Sequence, residues 1–264
     1  MQTGTEKLIA RKEGAIGWII FNNPQKRNAV SLEMWKGLGA ALDEFTRDGA
    51  IRVVILKGAG DKAFISGADI SEFEEKRSTL EAIEVYNASS LRAGTLLREC
   101  PKPTIAMIRG YCIGGGLGVA ADCDLRLASD DSRFGVPAAK LGVGYRYAGL
   151  QRLSEIVGSP FVAEIFYTGR QFDAHEALQM RLVHRVLPAV ELEKYVLDYA
   201  TTIATNAPLT IAAVKRSLLE MPKSPDERDL ALCQQMVDNC FASEDYIEGR
   251  TAFSEKRKPV FKGR

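Results

Sequence analysis

The spacing of apolar residues changes period along the chain, and each change marks an element. Leu8 to Lys12 and Ala15 to Phe21 carry strand patterns on either side of Glu13-Gly14, which predicts a β-hairpin. Asn22 to Asn28 is polar, includes Pro24 and reads as a loop. After Ser31, a residue suited to capping a helix, Leu32, Trp35, Leu38, Leu42 and Phe45 recur at helical spacing. They predict a helix ending near Arg47, stopped by Asp48-Gly49. Arg52 to Lys57 predicts a short buried strand, and Phe64-Ile65-Ser66 a second that breaks at Gly67-Ala68-Asp69-Ile70. A helix is expected from Thr79 to Glu99, with Leu80, Ile83, Leu91 and Leu97 as its apolar positions, closed by Pro101 and Pro103.

The run from Lys102 to Ile113 is apolar and β-rich, and it enters Gly114-Gly115-Gly116. Leu117 to Ala121 then starts a helix, Asp124 to Ala128 predicts a strand, and Phe134-Gly135-Val136-Pro137 a turn. Helical periodicity dominates from Leu150. Asp173-Ala174-His175-Glu176 has the form of a capping box, and Val183 to Val186 is a short strand. After Pro188 only helices are predicted, the last over Ala242 to Lys258. Strands alternating with helices predict an α/β fold. The expected division is a core over residues 1–190 and a helical region over 191–264, of the kind that packs on another subunit.

Composition narrows the function. The net charge of +1 on 264 residues gives no basic field for nucleic acid. The polar start, Met1 to Lys7, lacks the apolar core of a secretory signal, and no apolar run is long enough to span a bilayer. The five cysteines fit no zinc spacing, and most read as small buried hydrophobes of a reduced, cytoplasmic protein. The remaining chemistry gathers at the triple glycine. A strand, a glycine turn and a helix start leave backbone N–H groups pointing outward, a pocket for an oxygen bearing negative charge. A tight packing turn would use the same residues.

Phe64 to Ile70 and Gly110 to Gly116 each end a strand in a glycine turn. In order and spacing they resemble the two signatures of the crotonase (enoyl-CoA hydratase/isomerase) superfamily. Asn23 to Ala29 and Glu248 to Pro259 extend the resemblance over almost the whole chain. The resemblance implies a spiral of ββα repeats with a helical C-terminal trimerisation region, assembled as a homotrimer or a dimer of trimers. It implies an acyl-CoA thioester substrate, with coenzyme A as part of the substrate and no separate cofactor or metal. It places the thioester oxygen on the backbone N–H groups of Ala68 and Gly115. Coenzyme A contacts are implied for Lys26, Arg27, Ser66, Gly67, Asp69, Ile70 and Gly114, and, from a neighbouring subunit, for Phe253 and Lys256. Asp69 is read as a structural cap.

The resemblance breaks at two positions. Hydratases of the family carry two glutamates where this chain has Gly118 and Ala138. Neither residue can transfer a proton, so syn-hydration loses its usual groups. Tyr145 and Arg146, in Leu141 to Tyr147, are the remaining catalytic candidates, and Lys140 lies nearby. Tyr145 is placed like the tyrosine of the family's methylmalonyl-CoA decarboxylases. Those enzymes' histidine and glutamate correspond here to Ala68 and Gly118. The expected function is therefore enolate stabilisation on an acyl-CoA thioester. Decarboxylation of a malonyl-type thioester and non-catalytic acyl-CoA binding are the alternatives. Asp122, Asp124, His175 and His184 are expected to be structural or solvated, and Glu155 and Glu164 are left unoriented.

Overall fold

The apolar strands divide between two sheets. In the computed structural model, which describes residues 3–69 and 79–264, β1 (Leu8–Glu13) and β2 (Ile16–Phe21) form the expected antiparallel hairpin. β2 runs parallel to β3 (Val53–Gly58), which pairs with β5 (Thr104–Ile108). β7 (Leu125–Ser129) and β10 (Arg185–Leu187) complete a six-stranded sheet ordered β1-β2-β3-β5-β7-β10. The smaller sheet is ordered β4-β6-β8-β9, from β4 (Ala63–Ile65), β6 (Tyr111–Ile113), β8 (Arg133–Gly135) and β9 (Phe172–Asp173). The pairs β3/β4, β5/β6 and β7/β8 each give one strand to either sheet. This is the α/β fold that the alternation of strands and helices predicts, in the spiral that the resemblance implies.

The large sheet is apolar on both faces because both are covered. Val54, Leu56, Ala106 and Ile108 pack on Leu38, Leu42 and Phe45 of α1 (Leu32–Arg47) and on Leu97 of α2 (Leu80–Glu99). The alternate residues Val53, Ile55, Ile105 and Met107, with Trp18, meet Leu192, Val196 and Ala200 of α7 (Leu192–Thr205). Between these lie α3 (Gly115–Asp122), α4 (Tyr147–Val157), α5 (Ser159–Thr168) and α6 (Ala174–Gln179). The chain ends in α8 (Pro208–Glu220), α9 (Leu230–Phe241) and α10 (Glu244–Ser254). Buried Lys215 of α8 holds this end to the sheet. Its Nζ donates to Asp124 Oδ2 at 2.7 Å and to the Lys102 carbonyl at 3.0 Å.

Local signals set the helix starts. The Ser31 side chain accepts from the Met34 N–H, Thr79 from Ala82, and Asp173 from Glu176 in a complete capping box. Three expectations are corrected. The run 102–113 is two strands in different sheets, because at Gly110 the backbone passes so close to the Lys62 carbonyl that a Cβ would overlap it. The residues around Phe134 are a strand, too short to show a period. On α2, Leu97 is buried but Ile83 and Leu91 are exposed. The six residues from Leu91 to Leu97 turn the helix through about 240°, so the buried stripe is instead Ala93, Leu97 and Cys100. The Leu80 side chain lies outside the described residues. No helix among the described residues is long and apolar enough to cross a membrane.

Candidate active site

Parallel pairing of β4 with β6 brings the two glycine turns side by side. Gly67 has φ +116° and Gly114 φ +55°, backbone that a side chain rarely adopts. A Cβ on Gly114 would stand 3.8 Å from Gly67 Cα, so the two turns abut. Gly116 sits tighter still, since a Cβ there would overlap the Ile65 carbonyl oxygen. Gly116→Ala is expected to lower stability by about 2 to 3 kcal/mol through overpacking. Urea unfolding checks this, and an unchanged midpoint would show that the turns are not in contact.

The backbone bonds around the two turns leave donors over on each of them. Val30 N–H donates to the Gly67 carbonyl and Asp69 N–H to the Val30 carbonyl, at 2.8 and 3.0 Å. These bonds bracket Ala68 without using its N–H. Gly114 N–H donates to the Gly135 carbonyl, while Leu117 and Gly118 donate to the Gly114 carbonyl. Among the described residues, neither the Ala68 nor the Gly115 amide meets an acceptor. Gly115 is the first residue of α3, where the helix dipole favours negative charge. Two free amides on abutting turns have the chemistry of an oxyanion hole.

The loop before α1 is fastened to this site. Fully buried Asn28 donates to the Ala59 and Ala63 carbonyls and accepts from Asn23 N–H. Arg27 lies over the Tyr111 ring at 5.1 Å, and its carbonyl accepts from Ser66 N–H. Lys26 Nζ meets the buried Asp69 carboxylate at 2.9 Å. Asp69, expected as a cap, therefore holds Lys26 on the described side, and Ile70 lies outside the described residues. Phe253, 88 % exposed, and the exposed Lys256 stand at the end of α10, away from any recorded bond to this loop. Phe253 borders an apolar groove of about 730 Å³ that includes Val214, Leu218, Met221 and Phe241.

The Tyr145 ring stacks edge-on against Phe166 with centroids 4.6 Å apart. Gly149 makes room for it, since a Cβ there would stand 2.9 Å from the ring. The hydroxyl points at α3, 3.9 Å from where a Cβ on Gly118 would be. Tyr145 thus fills the space into which a side chain at position 118 would grow. Tyr145 as a whole is 37% exposed, but burial around its hydroxyl, and next the charge of Asp122, push that hydroxyl above the ordinary phenol range. Arg146 precedes α4, is exposed, and borders neither of the cavities that Tyr145 borders.

Ala138 is buried and shares a cavity of about 900 Å³ with Tyr145 and Glu155. Glu155 is held there by Arg152 at 3.3 Å. Glu164 is instead paired with Arg170 at 2.6 Å, and the Lys140 methylenes lie over the Gly169 turn. His175 is exposed, and His184 Nδ1 accepts from Arg126 N–H, so neither faces the site.

Asp122 and Asp124, which the sequence groups together, part in the structure. Asp124 is structural, bonded to Thr104 and Lys215. Asp122 instead borders a cavity of about 100 Å³ with Gly118 and Tyr145, and burial pushes its carboxyl up to about 6. The sequence does carry a signal for it. Asp122 falls one helical turn after Gly118.

The enoyl-CoA hydratase/isomerase family model matches residues 11–264. The short-chain-enoyl-CoA hydratase of Clostridium acetobutylicum is 34% identical over 251 residues, 95% of each chain. The crotonyl-CoA hydratase of Syntrophomonas wolfei is 32% identical over 256 residues, 97% of this chain and 98% of that one. Among solved structures, an enoyl-CoA hydratase/carnithine racemase from Magnetospirillum magneticum superposes with a TM-score of 0.91 at 39% identity. That match covers 98% of this chain and 97% of the other. The chain belongs to the enoyl-CoA hydratase/isomerase family of the crotonase superfamily.

Proposed function

We propose that this protein binds an acyl-CoA thioester and stabilises the enolate of its acyl group between the Ala68 and Gly115 amides. The observation that carries the reading is the pair of unused N–H groups on abutting turns. A thioester oxygen accepting from both gains most when the charge moves onto it, which lowers the barrier to the enolate. The tied loop with Lys26 and Arg27 supplies cations for the phosphates of coenzyme A, with Ser66, Gly67, Asp69 and Gly114 forming the wall beside the thioester. Phe253 and Lys256 reach coenzyme A from a neighbouring subunit. The apolar groove along α8, α9 and α10 supports association into a trimer or a dimer of trimers, tested by the mass in solution.

The relatives carry hydratase names, but the reaction here differs. Gly118 and Ala138 offer no carboxylate to activate water. Tyr145 stands in the first of these spaces and acts in proton transfer. Its position also favours a second reading, decarboxylation of a malonyl-type thioester, where Tyr145 returns a proton to the enolate; Arg146, outside the cavities that Tyr145 borders, takes no part in it. Crotonyl-CoA incubated with the protein should keep its enoyl absorbance, and rapid loss would refute the glutamate argument. Methylmalonyl-CoA in parallel should release carbon dioxide under the second reading, and its survival would remove that reading alone.

A further inference from the structure

One largely enclosed carboxyl beside this site, Asp122, is paired only loosely, with Arg98 at 3.5 Å. Asp122 ends α3, the helix that opens with the Gly115 amide. Residues four apart share a helix face, and helical side chains lean toward the N-terminus. Asp122 therefore shares its face of α3 with Gly118. Two helical glycines make the space. A Cβ on Gly94 of α2 would stand 2.7 Å from Asp122 Oδ2, and one on Gly118 would approach the Tyr145 hydroxyl. Gly94, Gly118, Asp122 and Tyr145 border the same cavity of about 100 Å³. Glycine weakens a helix interior, so one opening onto the carboxylate and another onto the phenol of the same cavity mark a built space.

The charged groups facing Asp122 leave it poised. Arg98 comes from α2, its Nε 3.5 Å from Oδ1 and without a hydrogen bond among the described residues. Arg152 comes from α4, but its Nε is taken by the Ala121 carbonyl and its Nη1 by Glu155. Tyr145 comes from the segment before α4. Among the described residues no hydrogen bond reaches the Asp122 carboxylate. Burial outweighs both arginines and sets the carboxyl at about 6, matched to proton exchange near neutral pH.

The geometry points to Asp122 as the positioning residue that stores the proton of this site and exchanges it with the acyl α-carbon through the Tyr145 hydroxyl. The proposal rests on the enolate reading above. With the thioester oxygen on the two amides, the α C–H bond breaks. Its electron pair becomes the enolate double bond, and the carbonyl π pair moves onto the oxygen. The α-proton forms a bond to the Tyr145 oxygen as the Tyr145 O–H proton passes to a water in the cavity that both residues border, and that water gives one of its own protons to the Asp122 carboxylate. The protein gains one proton, and the enolate carries the charge. The reverse path returns the proton to carbon. A phenol alone is a poor base, and the carboxylate behind it makes it a relay.

The test uses the full chain with propionyl-CoA in deuterated water, following α-deuteration by NMR from about pH 5 to about pH 8. The wild type should exchange, with a rate that rises as Asp122 ionises and then levels. Asp122→Asn should exchange about 100-fold more slowly, without that pH step and with propionyl-CoA binding unchanged. Asp122→Ser, a second variant whose folding is checked by thermal unfolding, should lose the same step. Adding Asp122→Asn to Tyr145→Phe should slow exchange no further, since a relay broken once stays broken. Exchange by Asp122→Asn at the wild-type rate, with the pH step intact, overturns the relay and leaves the enolate reading standing. A wild type that exchanges nothing overturns both.

Discussion

Ala68→Pro is expected to slow enolate formation about 100- to 1000-fold, the usual loss when one oxyanion donor is removed. Proline has no backbone N–H, and it is the only substitution that deletes the donor itself. The bridge between Val30 and Ala68 should survive, because it uses the Gly67 carbonyl and the Asp69 N–H rather than the Ala68 amide. Coenzyme A binding should hardly change, since Lys26 and Arg27 are fastened through Asp69, Asn28 and Tyr111. Ala68→Gly keeps the N–H and should stay near the wild-type rate. The readout is α-deuteration of propionyl-CoA. A folded proline variant as fast as the wild type would show that the Ala68 amide is not used.

Asp122→Asn is expected to stabilise the fold by about 2 kcal/mol at pH 8 and not at all near pH 4. The sign follows from burial. The folded carboxyl is raised from 3.8 to about 6, so the native state holds this proton more tightly than the unfolded chain does. Stability from this group is complete below the unfolded value and is lost as pH rises through about 6. Above that, the native protein carries a poorly solvated charge. Arg98, whose side chain is 31% exposed, keeps enough water to tolerate the loss of its partner. Urea midpoints at the two pH values measure the effect. An asparagine variant no more stable than the wild type at pH 8 would mean that Arg98 offsets the burial in full. A variant that is steadier yet slower is the signature of a charge kept for chemistry rather than for folding.

The site was legible in the sequence where chemistry depends on backbone. Gly67-Ala68 and Gly114-Gly115-Gly116 announce close turns because few other residues fit, and the structure sets them against each other. The missing carboxylates at Gly118 and Ala138 were equally plain. What escaped depends on side chains meeting across elements. Asp122 and Asp124 look alike in sequence, and the positions of Thr104 and of Lys215, 91 residues further on, decide which is bonded. Lys26 reads as a free cation until Asp69 folds beside it. The fold was legible through its longer elements. The division of residues 102–113 between two sheets was not, since three-residue strands carry no period and the break rests on one backbone contact at Gly110.

The central claim is that two backbone amides polarise a thioester carbonyl. Isotope-edited infrared spectroscopy of propionyl-CoA labelled with carbon-13 at that carbonyl reads it directly, without any turnover. The bound carbonyl band should move to lower frequency than in water, and Ala68→Pro should move it part of the way back. A band that stays at its solution frequency on the wild-type protein would contradict the oxyanion hole and the function built on it.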